Sequence, residues 1–424
     1  MKKRLLFLML SACVLCAVSL NFLSDEEKRH ALLNETFIDN TELFGEVESP
    51  KEEPAEITGK QEQIVELPTK EQTEEDNTDN LSIFPDESAY AYQCLNEEEQ
   101  QVYREIYQIL IEFGEDEELS VTNPEQIGDI FQCVLNDCPE IFYVQGYTYT
   151  TYTKGEEIVR LTLSGTYTMT PEEAAFCQEG IDSYVQTCLE GIPDSATDYD
   201  KVKYVYEYLI NHTEYQQDSP ENQNICSVFL NGKSVCQGYA KATQYLLEKA
   251  GVFCTLVIGS VSDGEGHAWN LVRMDGNFYY VDTTWGDASY QMGENTDLWQ
   301  QGFPEINYDY LGVTTEQLNR THTLNNVVQL PLCESMDCNY YVQEGTYLTS
   351  SDEETLKQLF EKKIGQEQLY ITLKCADEAV YVELKKLLIE EQKIFGYLHQ
   401  SNGSVAYSDN DEQLSLSFWT GEDS

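Results

Sequence analysis

Three polar side chains stand out for what they could do together. Cys236 precedes a stretch of helical periodicity, His267 opens an alternating run, and Asp282 closes the next one, all within residues 232–287. A thiolate is the nucleophilic form of cysteine, and a helix start favours it through unpaired N–H groups and the helix dipole. An imidazole can then take or hold the thiol proton, and a carboxylate can fix that imidazole's tautomer. The chemistry is acyl transfer through a cysteine. Taken singly, each residue has a plainer reading. A cysteine at a helix start is usually structural, a histidine at a strand start usually lies at the surface, and an aspartate before Thr-Thr-Trp can cap a turn. Their joint occurrence, with glycines at 238 and 266 and tryptophans at 269 and 285, carries the argument.

The remaining histidines offer no second centre. The chain has five in all. His322 reads as a structural or surface residue, His212 ends a helix where a cation suits the dipole, His30 falls in a charged stretch, and His399 lies near a strand end. None has a cysteine or carboxylate at metal-ligand spacing, and neither HExxH nor a phosphate-binding glycine loop occurs. No metal or cofactor is expected.

The elements that must position the three residues are legible in outline. A helix is predicted over 234–249, with Ser234 as N-cap and Gly251 in the C′ position. Strands are predicted over 254–261, 267–274 and 278–283, the last two joined by the hairpin signal Asp275-Gly276. His267 and Asp282 then lie on adjacent strands, where a cross-strand pair would bring them together. Backbone N–H groups at the Cys236 turn are oxyanion donors. The side-chain donor is left open between Gln237 and a residue of 211–217. A helix followed by an antiparallel sheet gives an α+β fold class.

Upstream, apolar spacing predicts helices over 95–113 (Val102, Ile106, Ile109, Leu110, Phe113) and 124–135, the latter closed by Pro139. Residues 143–152 and 158–167 alternate like a hairpin around Lys154-Gly155. Thr170-Pro171-Glu172-Glu173 is a capping box with proline at the first helical position, so a helix follows to about 189; another covers 198–210. Beyond 335 the pattern changes to strand 340–348, helix 352–363, strand 369–374, helix 377–391 and a hairpin around Asn402-Gly403. The expected organisation is therefore 1–23 signal peptide or membrane anchor, 24–88 acidic linker, 89–199 helical and hairpin region, 200–330 catalytic core, and 335–424 a small α/β appendage.

Charge and targeting bound the setting. The 424 residues carry 76 Asp and Glu against 25 Lys and Arg, a formal net charge of −51. That excludes nucleic acid as a partner, because phosphates are bound by clustered Lys and Arg. It also argues against an anionic membrane surface. Residues 24–88 hold 20 acidic and 5 basic side chains, a net of −15, and four prolines. Few apolar groups and strong self-repulsion predict a disordered, extended tether. Lys2, Lys3 and Arg4 precede an apolar run over 5–23, so the rest of the chain is expected to be exported. Three fates compete for that run: lipidation at Cys13 in Leu10-Ser11-Ala12-Cys13, cleavage after Ala17-Val18-Ser19, or an uncut span. Each of the first and last makes residues 1–23 a membrane tether. Of the thirteen cysteines, Cys13 and Cys16 fall in the 1–23 run; the rest show no repeated framework, and Cys133/Cys138 and Cys333/Cys338, five apart, suit neither zinc-ribbon nor CxxC spacing, so most read as buried small apolar residues.

The pattern resembles the transglutaminase-like superfamily, whose fold is related to papain-type cysteine proteases. The matching blocks are Cys236-Gln237-Gly238-Tyr239-Ala240, His267-Ala268-Trp269-Asn270 and Asp282-Thr283-Thr284-Trp285, in order and in the right structural context. The resemblance covers about 200–325 and reaches weakly upstream to 137–143; it leaves out the linker and the appendage. It implies a papain-like core, with Cys236 as nucleophile, His267 as general base or ion-pair partner, and Asp282 as orienting carboxylate. Gln237, Trp269, Asn270 and Trp285 would support them. It further implies a thioester formed with a protein or peptide amide, at the cell surface or on cell-wall peptides, resolved by water or an amine. The competing expectation is a silent binding or scaffold module of the same fold.

Overall fold

The computed structural model describes residues 89–154, 157–262, 264–288, 304–366, 370–399 and 405–420. Residues 1–88, with Cys13 and the acidic stretch, lie outside it, as does Asn402-Gly403. Among the described residues no helix is long and apolar enough to cross a membrane. The described chain forms two compact units, 89–134 with 144–167, and 135–143 with 168–420.

In the first unit α1 (Tyr90–Cys94) leads into α2 (Glu97–Ile111). Asn96 and Glu99 form a reciprocal capping box at the start of α2. Its helical spacing buries Val102, Ile106, Ile109 and Leu110. The helix stops short of the expected 113 because Phe113 turns left-handed (φ +55°) and the Gly114 N–H returns to Ile109 O at 2.8 Å. β1 (Glu117–Glu118), a 3-10 turn at Pro124–Gln126 and the start of α3 (Ile127–Asp137) follow. β2 (Val144–Lys154) and β3 (Glu157–Tyr167) form the expected hairpin, in an antiparallel sheet of order β1-β3-β2.

The second unit holds the chemistry. α4 (Pro171–Leu189) begins with the expected Thr170–Glu173 box, and α5 (Asp198–His212) with a second one, Thr197–Asp200. β4 (Glu214–Tyr215), α6 (Ile225–Phe229) and β5 (Lys233–Ser234) precede α7 (Cys236–Lys249). β6 (Cys254–Val261), β7 (Gly266–Met274), β8 (Asn277–Val281), α8 (Thr283–Gly286), a 3-10 turn at Tyr308–Tyr310, β9 (Leu311–Val313), α9 (Thr315–Leu318) and β10 (His322–Leu324) complete the core. The five strands form one antiparallel sheet, order β10-β6-β7-β8-β9. Mixed helices and antiparallel sheet give the α+β class expected.

α7 is buried on most of its circumference, from Gly238 to Leu247, as suits a helix packed on all sides. Leu246 and Leu247 are fully buried, each contributing about 1.5–3 kcal/mol of apolar transfer. The helix ends in a Schellman turn: Gly251 sits at φ +76°, its N–H reaches Glu248 O, and the Val252 N–H reaches Leu247 O. Under the sheet, Val257, Trp269, Leu271, Tyr280, Val313 and Leu318 pack together.

Residues 340–420 build a second sheet, order β11-β12-β14-β13, from β11 (Tyr347–Leu348), β12 (Tyr370–Cys375), β13 (Val405–Asn410) and β14 (Ser415–Thr420). Its helices are α10 (Tyr340–Gln343), α11 (Glu353–Gly365), α12 (Glu378–Lys385), continued by a π turn at Lys386–Glu390, and α13 (Ile394–Tyr397). One expectation fails here. Residues 340–348 are not one strand: Asn339 caps α10 through the Tyr341 N–H, and only Tyr347–Leu348 pairs. β13 and β14 form a hairpin that turns at 411–414, where Asn410 Oδ1 takes the Gln413 N–H and Leu414 adopts φ +54°.

Candidate active site

Cys236 is the first residue of α7, half-buried. Ser234 is not its cap. Val235 occupies the N-cap position and no side chain bonds the first turn, because the Ser234 hydroxyl is spent on Asn222 O and Ser227 Oγ. The first-turn N–H groups are thereby left for an anion. Gly238 is required by that crowding: a Cβ there would lie 2.0 Å from Ser234 Oγ and 2.8 Å from Asn222 O.

His267 enters from β7, paired across to Gly259 on β6. The β7–β8 ladder runs only from Met274–Asn277 to Asn270–Val281, so His267 and Asp282 are not the direct cross-strand pair expected. Asp282 lies one residue beyond β8, at the N-cap of α8, and its two oxygens divide the work. Oδ1 accepts the Trp285 N–H at 3.0 Å; Oδ2 meets His267 Nε2 at 2.7 Å. Both side chains are buried. Cys236 lies close enough to the same imidazole to raise its pKa, and with Nε2 engaged by Asp282 the nitrogen left for the thiol is Nδ1.

The electrostatics follow from burial and this pairing. Burial alone would drive the His267 pKa down, but the Asp282 carboxylate and the Cys236 contact outweigh it and hold the imidazole above its ordinary 6.5. Burial would raise Asp282, but His267, then His322, hold it below its ordinary 3.8. Asp282 is ionised and His267 is poised to carry a proton.

His322 was missed by the sequence reading. It opens β10, is 3 % exposed, and places Nε2 3.1 Å from the same Asp282 Oδ2. Burial lowers its pKa despite Asp282, so it is neutral. Its position comes from β10 pairing with β6, a long-range contact with no local motif; a threonine-histidine pair opening a strand is the one local sign. His267, Asp282 and His322 are also, among the described residues, the group whose ligand atoms lie within 4.8 Å of one another, as a metal ion requires. Here both Nε2 atoms share one carboxylate oxygen.

The other expected residues support the three. Asn270 is fully buried, and its Nδ2–H donates to Ala240 O at 2.9 Å, tying β7 to α7. Trp269 and Trp285 wall the imidazoles: ring centroids lie 5.9 and 5.8 Å from His267, and 4.9 and 4.8 Å from His322. Gln237 is half-buried beside Cys236. In the 211–217 segment, the Gln216 N–H donates to Ser234 O at 2.8 Å, which lays that segment along the Cys236 turn. His212 is exposed and stacked on Tyr208, away from any such cluster. A cavity of about 180 Å³ lined by Tyr308, Tyr340, Glu344, Lys363 and Tyr370 includes none of these catalytic candidates. Of the eleven cysteines among the described residues, eight are buried.

Residues 186–283, which contain Cys236, His267 and Asp282, match the family model of the Transglutaminase-like superfamily. This segment is a transglutaminase-like domain. Over 127 residues the chain is 28% identical to kyphoscoliosis peptidase of Homo sapiens and 26% identical to that of Mus musculus, covering 26% of this chain in each case. The match spans about a fifth (19%) of the length of these curated relatives. A solved structure of a TGase is 16% identical, covers 33% of this chain and 44% of its own, and has a TM-score of 0.25. The matched segment ends before His322.

Proposed function

We propose that the transglutaminase-like domain is a cysteine acyl-transfer enzyme acting on protein or peptide amides. The observation that carries this reading is one imidazole, His267, bound at Nε2 by a buried carboxylate at 2.7 Å, with Cys236 at a helix start close enough to raise its pKa. The Cys236 thiolate attacks the amide carbon. Oxyanion charge falls on the first-turn N–H groups of α7, which no side chain caps. Gln237 and the neighbouring 214–216 segment are the side-chain candidates for a further donor. The C–N bond breaks as His267 gives its proton to the leaving nitrogen, and an acyl thioester remains on Cys236. His267, now neutral, takes a proton from water or an amine, which attacks the thioester and releases the thiol.

Water gives an amidase or peptidase; an amine gives cross-linking. Both outcomes share every residue named here, and the choice rests on water access and pocket shape. The targeting pattern of residues 1–23 supports an exported, membrane-tethered enzyme, with surface proteins or cell-wall peptides as substrates. The test is mass spectrometry of the protein quenched with a glutamine-containing peptide, with and without a primary amine. The expected result is an adduct on Cys236 of peptide mass less ammonia, absent in His267→Ala. Peptide left intact, with no adduct at any pH from 5 to 9, contradicts the proposal.

A further inference from the structure

A directed chain of buried hydrogen bonds runs from the C-terminal sheet into the site. It begins at Lys374 on β12, fully buried, whose ammonium can only donate. Its Nζ lies 2.9 Å from Asp309 Oδ1 and 3.1 Å from Gln413 Oε1. The Gln413 amide is therefore oriented, oxygen toward Lys374 and nitrogen away. That nitrogen can only donate, and it meets Thr321 Oγ1 at 3.2 Å and the Tyr310 hydroxyl at 3.3 Å. Thr321 still holds its own proton after accepting from Gln413, and His322 Nδ1 lies 2.8 Å away to take it. A neutral imidazole that accepts at Nδ1 carries its hydrogen on Nε2, and Nε2 faces Asp282 Oδ2. The reverse tautomer would set a lone pair against a buried carboxylate, which is costly in a low dielectric. Gln413 and Thr321 are each no more than 3 % exposed, so water has little room to substitute.

We infer that His322 and Gln413 are positioning residues of the catalytic triad, the C-terminal hairpin fixing the His322 tautomer through Thr321 and so giving Asp282 its second side-chain N–H donor. This rests on the acyl-transfer reading of Cys236, His267 and Asp282. It gives residues 335–424 a role inside the site: the turn at 411–414 presents Gln413, and β12 presents the lysine that orients it.

The test uses the full chain labelled with ¹⁵N-histidine, which has five imidazoles to resolve, and compares Thr321→Val, Gln413→Leu, His322→Leu and His322→Gln. Thr321→Val is nearly isosteric, and thermal melts identify any variant that does not fold. In the unaltered protein His322 should appear as one neutral tautomer with its hydrogen on Nε2. Thr321→Val and Gln413→Leu should mix the tautomers and slow alkylation of Cys236 by iodoacetamide about tenfold, the scale of one hydrogen bond to a charged group. His322→Gln, which keeps an amide N–H, should retain more reactivity than His322→Leu. Folded Thr321→Val and Gln413→Leu proteins with a single Nε2–H tautomer and undiminished alkylation overturn the inference and leave the acyl-transfer reading standing. Cys236 reactivity that ignores His267→Ala in the unaltered background overturns both.

Discussion

Asp282 receives an imidazole from each of two regions that are built differently. His267 comes from β7, at the centre of the five-stranded sheet, beside the helix that carries Cys236. His322 comes from β10, at the edge of that sheet, backed by the C-terminal hairpin. Both nitrogens reach the same Oδ2, at 2.7 and 3.1 Å. Burial pulls both imidazoles toward the neutral form, yet their titrations diverge. Asp282 and Cys236 together hold His267 up, whereas His322 stays low with Asp282 alone to oppose burial. In the proposed mechanism one carboxylate supports a proton carrier on one side and a fixed neutral donor on the other, the Cys236 side supplying chemistry and the other side orientation.

Substitutions should separate the two regions by size of effect. Cys236→Ala and His267→Ala remove the acyl acceptor and the proton carrier, and turnover should fall by about 10³-fold or more, measured as product release. Asp282→Asn keeps the shape but removes the charge, with an expected loss on the order of 10²- to 10⁴-fold. Its pH profile sharpens the comparison. His267 is raised by Asp282, so activity that needs the imidazolium is lost only as pH climbs above the ordinary histidine range. In Asp282→Asn that alkaline limb should move down in pH, and an unmoved limb would remove Asp282 from the account.

Stability follows the same signs. The His267–Asp282 pair stabilises the fold in the interval between the depressed carboxylate and the raised imidazole. Its contribution falls as acid protonates Asp282 and as base deprotonates His267. In His267→Ala, melting temperature should therefore lose its alkaline decline while other titrations remain.

The hairpin region should answer more in stability than in rate. Lys374→Met leaves buried Asp309 without its cation and should cost about 3–5 kcal/mol in denaturant unfolding. Gly238→Ala should cost about 1–3 kcal/mol by forcing the Ser234 turn apart, with Cys236 displaced and turnover reduced alongside. Asn270→Leu should cost about 0.5–1.5 kcal/mol by removing the buried bond to Ala240 O that ties β7 to α7. If Lys374→Met left stability untouched, the contrast between the two regions would collapse.

What could be read in the sequence follows the same division. Cys236, His267 and Asp282 stand at the ends of periodic segments, so their elements and order were legible, as was the capping box at Thr170. What failed depended on contacts far apart in the chain. Ser234 looked like a cap, but its hydroxyl is claimed by Asn222 and Ser227. Asp282 looked like a strand residue, but the ladder ends at Val281 and the carboxylate caps α8. His322 and Gln413 are 91 residues apart in sequence, and neither carries a pattern that points to the other. The hairpin at 411–414 was hidden because a side-chain bond from Asn410 and a left-handed Leu414 make the turn without the usual Asn-Gly signal.

The central claim is that Cys236 is activated by His267, and the pH dependence of Cys236 alkylation by iodoacetamide tests it most directly. The account predicts fast labelling of Cys236 relative to the buried thiols, with a plateau at neutral pH that disappears in His267→Ala. Slow labelling that rises as an ordinary thiol titration, identical in the unaltered protein and in His267→Ala, would contradict it.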